Sequence, residues 1–142
     1  RLFTLQDAPV VAGLRALGPG EDLGATAGAV EVSESWLVLP AASSASASPG
    51  AVLVNDGGVD IVATVELLPQ EEDTAAAPVT VSVPAHSAAA VPPELWATAP
   101  GAAMLIRAEG GPLVALAAST SPRKGSTDAF ALSMGVPLPH EP

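Results

Sequence analysis

Proline and glycine interrupt this chain so often that no long helix fits between them. Its 142 residues include 15 prolines and 13 glycines. Proline breaks helices, and both residue types favour turns. The segments between them are short and rich in valine, and in Val79-Thr80-Val81-Ser82-Val83 every second residue is apolar. Such alternation is typical of strands with one buried face, so the sequence predicts an all-β domain in which Val79, Val81 and Val83 face inward.

Composition and charge exclude several classes of function. The formal net charge is −10, from 5 basic and 15 acidic residues. Such a surface repels phosphate backbones and anionic headgroups, so we expect neither nucleic-acid binding nor membrane-surface binding. No apolar run approaches the roughly 20 residues of a spanning helix, so no direct membrane insertion is expected in this segment. The chain has no cysteine, which excludes disulfides, thiolate nucleophiles and cysteine-ligated zinc.

One pattern occurs twice. Leu105–Ala115 has two apolar arms around a Glu-Gly-Gly-Pro turn, and Leu2–Ala12 repeats it 103 residues earlier, from Leu2 to Leu105 and from Pro9 to Pro112. Both copies predict a β-hairpin. The spacing is close to the roughly 100 residues of one sandwich domain. Residues 1–30 are therefore expected to end a preceding module or to add strands to the same sandwich, with residues 31–142 as the main module. Because the chain starts inside a predicted strand, we expect it to be a piece of a longer protein.

A second hairpin is expected at residues 55–58, Asn-Asp-Gly-Gly, because these residue types tolerate positive φ. The return strand, residues 59–68, alternates between apolar and polar positions. Its inward positions would be Ile61, Ala63, Val65 and Leu67, with Asp60, Thr64 and Glu66 outward. Between the two copies of the repeat lie about nine short strand candidates, at spacings typical of sandwiches. We therefore predict an immunoglobulin-like antiparallel β-sandwich with a repeated β-hairpin at the two ends of the chain.

The two tryptophans have different predicted roles. Trp36 lies in an apolar strand that ends at Pro40, and we expect it to fill the core. Trp96 follows Pro92 and Pro93, where a single helical turn is expected because proline suits a first helical turn. Aromatic faces can stack on sugar rings, so Trp96 is the candidate ligand-binding residue of a carbohydrate-binding module.

Other polar groups give weaker candidates. Glu71, Glu72 and Asp73 could offer oxygen ligands to calcium, although the spacing of a calcium loop is absent and a solvated acidic loop is favoured. His86 and Ser87 are sequence neighbours, and neighbours on a strand point to opposite faces, so turn residues are favoured over a Ser–His pair. No catalytic residue and no cofactor is predicted.

Four motifs follow one another in an order that resembles a known family. They are Trp-Leu-Val-Leu-Pro at 36–40, Leu-Val-Asn at 53–55, Val-Thr-Val-Ser-Val-Pro-Ala-His-Ser at 79–87 and Pro-Leu-Val-Ala at 112–115. This order is similar to a domain-of-unknown-function family of exported, often membrane-anchored actinobacterial proteins. The sequence departs from the family pattern at Asp56, where proline is usual, and at His86, where glycine is usual. The resemblance implies a cell-envelope location and, because genes of the family often lie near glycosyltransferase genes, a link to glycan assembly. It implies no catalytic residues.

Together these features predict a non-catalytic, extracytoplasmic β-sandwich module with a structural or protein-interaction role. Its expected partner is a protein or a neighbouring module in the cell envelope, contacted by pairing at a sheet edge to which Phe130 and the C-terminal strand contribute. A carbohydrate-binding module that uses Trp96 to hold a glycan is the alternative. A third hypothesis is a piece of a hydrolase whose active site lies elsewhere in the protein.

Overall fold

The computed structural model describes residues 13–18, 21–27, 31–40, 48–68, 76–99, 101–121 and 129–139. These residues form eleven strands and one short helix. The elements are β1 (Gly13–Gly18), β2 (Glu21–Ala27), β3 (Ser35–Val38), β4 (Ser48–Asn55), β5 (Ile61–Leu68), β6 (Val79–Val83), β7 (Ser87–Ala90), α1 (Glu94–Thr98), β8 (Ala103–Glu109), β9 (Val114–Ser121), β10 (Ala129–Met134) and β11 (Val136–Pro137).

Two antiparallel sheets pack against each other as a β-sandwich, which confirms the predicted fold class. One sheet has the strand order β11-β3-β8-β5-β6, and the other has the order β10-β9-β4-β7. Strands β1 and β2 form a separate antiparallel pair, and β2 lies alongside β10. No helix among the described residues is both long and apolar enough to cross a membrane.

The core lies between the two sheets and follows the predicted alternation. Ile61, Ala63, Val65 and Leu67 of β5 are all buried, whereas Val62 and Leu68 are exposed. In β6, Val81 and Val83 are buried and Val79 is half-buried, so the inward face of this strand is also as predicted. Full burial of each valine, leucine or isoleucine contributes roughly 1.5–3 kcal/mol, so these alternate rows supply much of the driving force for folding.

Trp36 fills the core, as expected for an apolar strand. Its side chain is 1% exposed. The indole Nε1–H donates to the carbonyl oxygen of Leu113 at 2.9 Å and to that of Ser33 at 3.1 Å. A buried indole needs such an acceptor, because an unpaired N–H in the core costs free energy. Trp36 therefore links β3 to the segment that leads into β9.

The hairpin predicted at Leu105–Ala115 is wrong. Its arms belong to different sheets: β8 lies between β3 and β5, and β9 lies between β4 and β10. Gly110 and Gly111 at the bend have φ of 101° and 153°, values that favour glycine. Glycine and proline residues indicate that the chain reverses here. They do not indicate whether the two flanking strands pair with each other or lie in opposite sheets. The first copy, at residues 2–12, lies outside the described residues.

The hairpin predicted at residues 55–58 is wrong for the same reason. Strand β4 belongs to the four-stranded sheet and β5 to the five-stranded sheet, so residues 56–60 cross between the sheets. Asn55 is buried at this bend, and its Oδ1 accepts a hydrogen bond from the N–H of Gly57 at 2.9 Å. An asparagine that bonds the backbone two residues on forms a local turn in either kind of connection.

Candidate functional site

Trp96 lies in the core and not on a binding surface. Its side chain is 1% exposed, and its Nε1–H donates to the carbonyl oxygen of Ala102 at 3.0 Å. The helical turn predicted at this position is present as α1, with Pro93 as the residue before it. A short helix of this kind turns the indole inward. A ring buried to this extent has no face left for a sugar, which corrects the expectation that Trp96 could bind a glycan.

The predicted acidic site cannot be placed, because Glu71, Glu72 and Asp73 lie outside the described residues. Within the described part of the chain, no group of three or more histidine or acidic side chains is positioned to hold a metal ion. Asp60 has a structural contact instead, since its Oδ1 accepts a 2.8 Å hydrogen bond from the backbone N–H of Ala85. This bond ties the β4–β5 connection to the β6–β7 turn.

His86 and Ser87 lie in that β6–β7 turn. His86 has φ of 55°, and its backbone N–H donates to the carbonyl oxygen of Gly57 at 3.2 Å. The hydroxyl of Ser87 donates to the carbonyl oxygen of Pro84 at 2.7 Å. The pair therefore supports the backbone of the turn.

A row of aliphatic side chains is exposed on the outer face of the five-stranded sheet. Leu39, Val136 and Leu68 are 55%, 50% and 39% exposed. Their neighbours on the same face are half-buried. We call this set the aliphatic surface, and it consists of Leu37, Leu39, Leu68, Ala103, Leu105 and Val136.

Strand register brings these six residues together. Leu37 of β3 lies opposite Val136 of β11 on one side and Leu105 of β8 on the other. Ala103 of β8 lies opposite Leu68 of β5. Leu39 follows Val38, which pairs with Met104, so Leu39 extends the same face beside Ala103. Directly opposed side chains in an antiparallel sheet have Cβ atoms about 4.5–5.5 Å apart, so the six form one continuous surface.

Polar residues border the aliphatic surface on the same face. Glu66 lies opposite Leu105, and its Oε2 is 3.3 Å from Nη1 of Arg107. Both side chains of this ion pair are about half exposed, so the pair contributes little to stability. Farther across the sheet, Thr80 and Ser82 of β6 are exposed. The outer face therefore has an apolar end and a mostly polar end, at which Val62 of β5 is also exposed.

Unbroken apolar runs in the sequence indicate the aliphatic surface, and a search for alternating apolar and polar residues overlooks them. Leu37-Val38-Leu39, Leu67-Leu68 and Ala103-Met104-Leu105 are runs with no polar residue between the apolar ones. Because side chains on a strand alternate between faces, an unbroken apolar run is apolar on both faces. Each of the three runs therefore predicts a strand with one apolar face toward the core and a second apolar face on the outside. The sequence does not show that these three strands are neighbours in the sheet.

A shallow groove of about 340 Å³ lies at the start of β3. Its lining is Val32, Ser33, Glu34, Ser35, Pro112 and Leu138. The hydroxyl of Ser33 donates to the carbonyl oxygen of Leu138 at 3.3 Å and accepts from the N–H of Ser35 at 3.1 Å. These bonds hold the chain segments together, and they give the groove no arrangement that selects a ligand.

Comparison with protein-family models, curated proteins and solved structures found no match to this chain. The resemblance based on the four strand motifs therefore stays a prediction.

Proposed function

We propose that this chain is a non-catalytic, extracytoplasmic β-sandwich module that binds a protein partner in the cell envelope. The aliphatic surface on the outer face of the five-stranded sheet carries the proposal. A contiguous exposed apolar patch bordered by polar residues is typical of a protein interaction site.

Physical chemistry favours burial of this surface in a complex. Leu39, Leu68 and Val136 still expose between 39% and 55% of their area. Removing apolar area from water contributes roughly 25 cal/mol per Å², and a contiguous exposed apolar patch favours association. The polar end of the same face, with the Glu66–Arg107 pair, fits the rim of an interface.

The negative net charge of the chain favours a basic partner over a second copy of the chain. The chain has a formal net charge of −10, so a second copy would approach against strong repulsion. A partner with aliphatic side chains at the centre of its contact surface and lysine or arginine around them complements both features. Complementary charge raises the association rate and excludes like-charged competitors. We therefore expect a basic envelope protein, and not a second copy, on the aliphatic surface.

The location and the link to glycan assembly rest on the family resemblance. On this basis we propose that the module binds an envelope protein that takes part in glycan assembly. The carbohydrate-binding alternative depended on Trp96, and a buried indole gives it no support.

Complementation in the cells that produce the full-length protein tests this function. The gene is deleted and replaced by wild type, by Leu39→Glu or by Thr80→Glu, and the glycan composition of the envelope is measured. Both positions are exposed on the same sheet face, but only Leu39 belongs to the aliphatic surface. We expect wild type and Thr80→Glu to restore the composition and Leu39→Glu to fail, although purified Leu39→Glu unfolds at the same denaturant concentration as wild type.

Full restoration by Leu39→Glu would remove the aliphatic surface from the function. An unchanged envelope in the deletion strain would remove the link to glycan assembly. Protease treatment of intact cells tests the location, and complete protection of the protein would contradict an extracytoplasmic position.

A further inference from the structure

The chain contains one Asp-Gly pair. Asp56 is the only aspartate that glycine follows, and Asn55, the single asparagine, is followed by Asp56 and not by glycine. The backbone nitrogen after an aspartate can attack the side-chain carboxyl of that aspartate. Because glycine has no Cβ, nothing on Gly57 hinders such an attack. Asp56-Gly57 is therefore the position of the sequence at which the backbone rearranges most readily.

The structure places this pair in an open turn. Asp56 and Gly57 are exposed in the connection between β4 and β5. Gly58 is also exposed, and a Cβ atom built on it meets nothing within 4 Å. The turn therefore has space for the succinimide ring that the attack forms.

Two hydrogen bonds hold Gly57 in place within this turn. Its N–H donates to Oδ1 of Asn55 at 2.9 Å, and its carbonyl oxygen accepts from the N–H of His86 at 3.2 Å. Asn55 is itself 1% exposed, and its Nδ2 donates to three backbone carbonyl oxygens. The nitrogen of Gly57 attacks only when it gives up its proton and approaches the carboxyl of Asp56. A bond that keeps this N–H on Asn55 therefore slows the reaction.

We propose that Asp56 is a modification site at which the chain forms isoaspartate, and that the hydrogen bond from Gly57 to Asn55 sets the rate in the folded protein. The proposal goes beyond the proposed function and concerns the other end of the sandwich. Asp56 lies before the first residue of β5, whereas Leu68 of the aliphatic surface is the last residue of that strand.

The reaction uses water as its only co-reactant. The nitrogen of Gly57 bonds to Cγ of Asp56, and the hydroxyl of the carboxyl group leaves as water together with the amide proton. Water then adds to the backbone carbonyl carbon of Asp56 in the ring, and the bond from this carbon to the Gly57 nitrogen breaks. The main chain now runs through Cβ and Cγ of residue 56, and the former backbone carbonyl is a carboxylate. Nothing is oxidised or reduced.

Isoaspartate changes the length of the turn. The main chain gains one methylene between Asn55 and Gly57, although the hydrogen bond between these residues closes a turn of fixed size. The modified chain should lose this bond. We therefore expect the backbone amide of Gly57 to exchange with deuterium faster in the modified protein than in the unmodified one.

Incubation of the purified protein at pH 7 tests the site. An isoaspartyl methyltransferase labels the carboxyl of isoaspartate, and peptide mapping locates the label. We expect label at Asp56 and none detectable at Asp60, which is exposed in the same connection but is followed by the β-branched Ile61. The chain unfolded in urea should form isoaspartate at Asp56 roughly tenfold faster, or faster still, than the folded chain.

Two variants test the role of Asn55. Asn55→Ala removes the acceptor of the Gly57 N–H and should raise the rate at Asp56 severalfold in the folded chain. Val65→Ala is the matched control, because it empties part of the core and lowers stability but leaves the turn intact. Both rates are measured where circular dichroism shows a folded protein. If Asn55→Ala does not fold, the comparison of folded and unfolded wild type still tests control of the rate by the fold.

Absence of isoaspartate at Asp56 in the unfolded chain would overturn the modification site. Equal rates in folded and unfolded wild type would overturn control by the fold, and equal rates in Asn55→Ala and Val65→Ala would overturn the role of the hydrogen bond to Asn55. None of these outcomes alters the complementation result at Leu39, so the two proposals fail separately.

Discussion

The side chain of Asn55 joins the two sheets through a 2.9 Å hydrogen bond from its Nδ2 to the carbonyl oxygen of Val83. Asn55 ends β4 in the four-stranded sheet, and Val83 ends β6 in the five-stranded sheet. The same nitrogen also donates to the carbonyl oxygens of Val59 at 2.8 Å and Pro84 at 3.2 Å. A buried amide with this many backbone partners fixes the connection between the sheets at one end of the sandwich.

Asn55→Asp should destabilise the fold by about 3–5 kcal/mol at pH 7. The new carboxylate has no N–H to donate and faces carbonyl oxygens that carry partial negative charge. Urea unfolding of wild type and the variant, followed by circular dichroism, measures the difference. A loss smaller than about 1 kcal/mol would contradict the role of Asn55 as a link between the sheets.

The loss at Asn55→Asp should also depend on pH. Burial and the facing carbonyl oxygens raise the pKa of this carboxyl in the folded state above its unfolded value. Its contribution is therefore most favourable below the unfolded pKa, where the protonated acid can donate one hydrogen bond, and it is lost as the pH rises through the folded pKa. Asn55→Ala is the control, since it introduces no titrating group and its difference from wild type should not gain this pH dependence.

Trp96→Ala should lower the free energy of unfolding by roughly 3–5 kcal/mol, because it empties a buried indole site. Trp96→Phe should cost less, since most of the ring volume is kept, although the smaller ring leaves part of the site empty and the hydrogen bond to Ala102 is lost. Chemical denaturation measures both variants. A Trp96→Ala variant as stable as wild type would contradict the burial of this side chain.

Gly135 fills a position with no room for a side chain. A Cβ atom there would lie 3.0 Å from Cγ2 of Val38 and 3.1 Å from both the carbonyl oxygen of Ala115 and Cε3 of Trp36. Gly135→Ala should therefore cost about 1–3 kcal/mol. Gly58→Ala is the matched control, because a Cβ atom there meets nothing within 4 Å, and we expect nearly unchanged stability. Equal unfolding midpoints for the two variants would contradict the close packing around Gly135.

Alternation along single strands predicted which residues face the core. In β5 the inward residues Ile61, Ala63, Val65 and Leu67 are buried, because a strand exposes successive side chains to opposite faces whatever its neighbours are. Trp36 was predicted to fill the core because the apolar residues Leu37, Val38 and Leu39 follow it in the strand. Local hydrophobic pattern is sufficient for this level of structure.

Connections between strands were not predictable in the same way. The segments at residues 55–58 and 109–112 have hairpin chemistry, yet they cross between sheets. Strand β4 pairs with β7 and β9, and β8 pairs with β3 and β5, so neither pairs with the strand that follows its own turn. Trp96 was misplaced for a related reason: the helical turn after Pro93 was predicted, but the sequence does not indicate that α1 directs the indole into the core. The aliphatic surface likewise depends on strand order, which no local pattern reports.

Site-specific photo-crosslinking tests the proposed interaction surface most directly. A benzoylphenylalanine residue replaces Leu39 in the full-length protein in its own cells, and a second strain has the same replacement at Thr80. Both positions are exposed on one sheet face, but Thr80 lies at its polar end. We predict a defined adduct with a basic envelope protein from position 39 and none from position 80. Adducts of equal yield at both positions, an adduct with a second copy of this protein, or no adduct at position 39 would contradict the account.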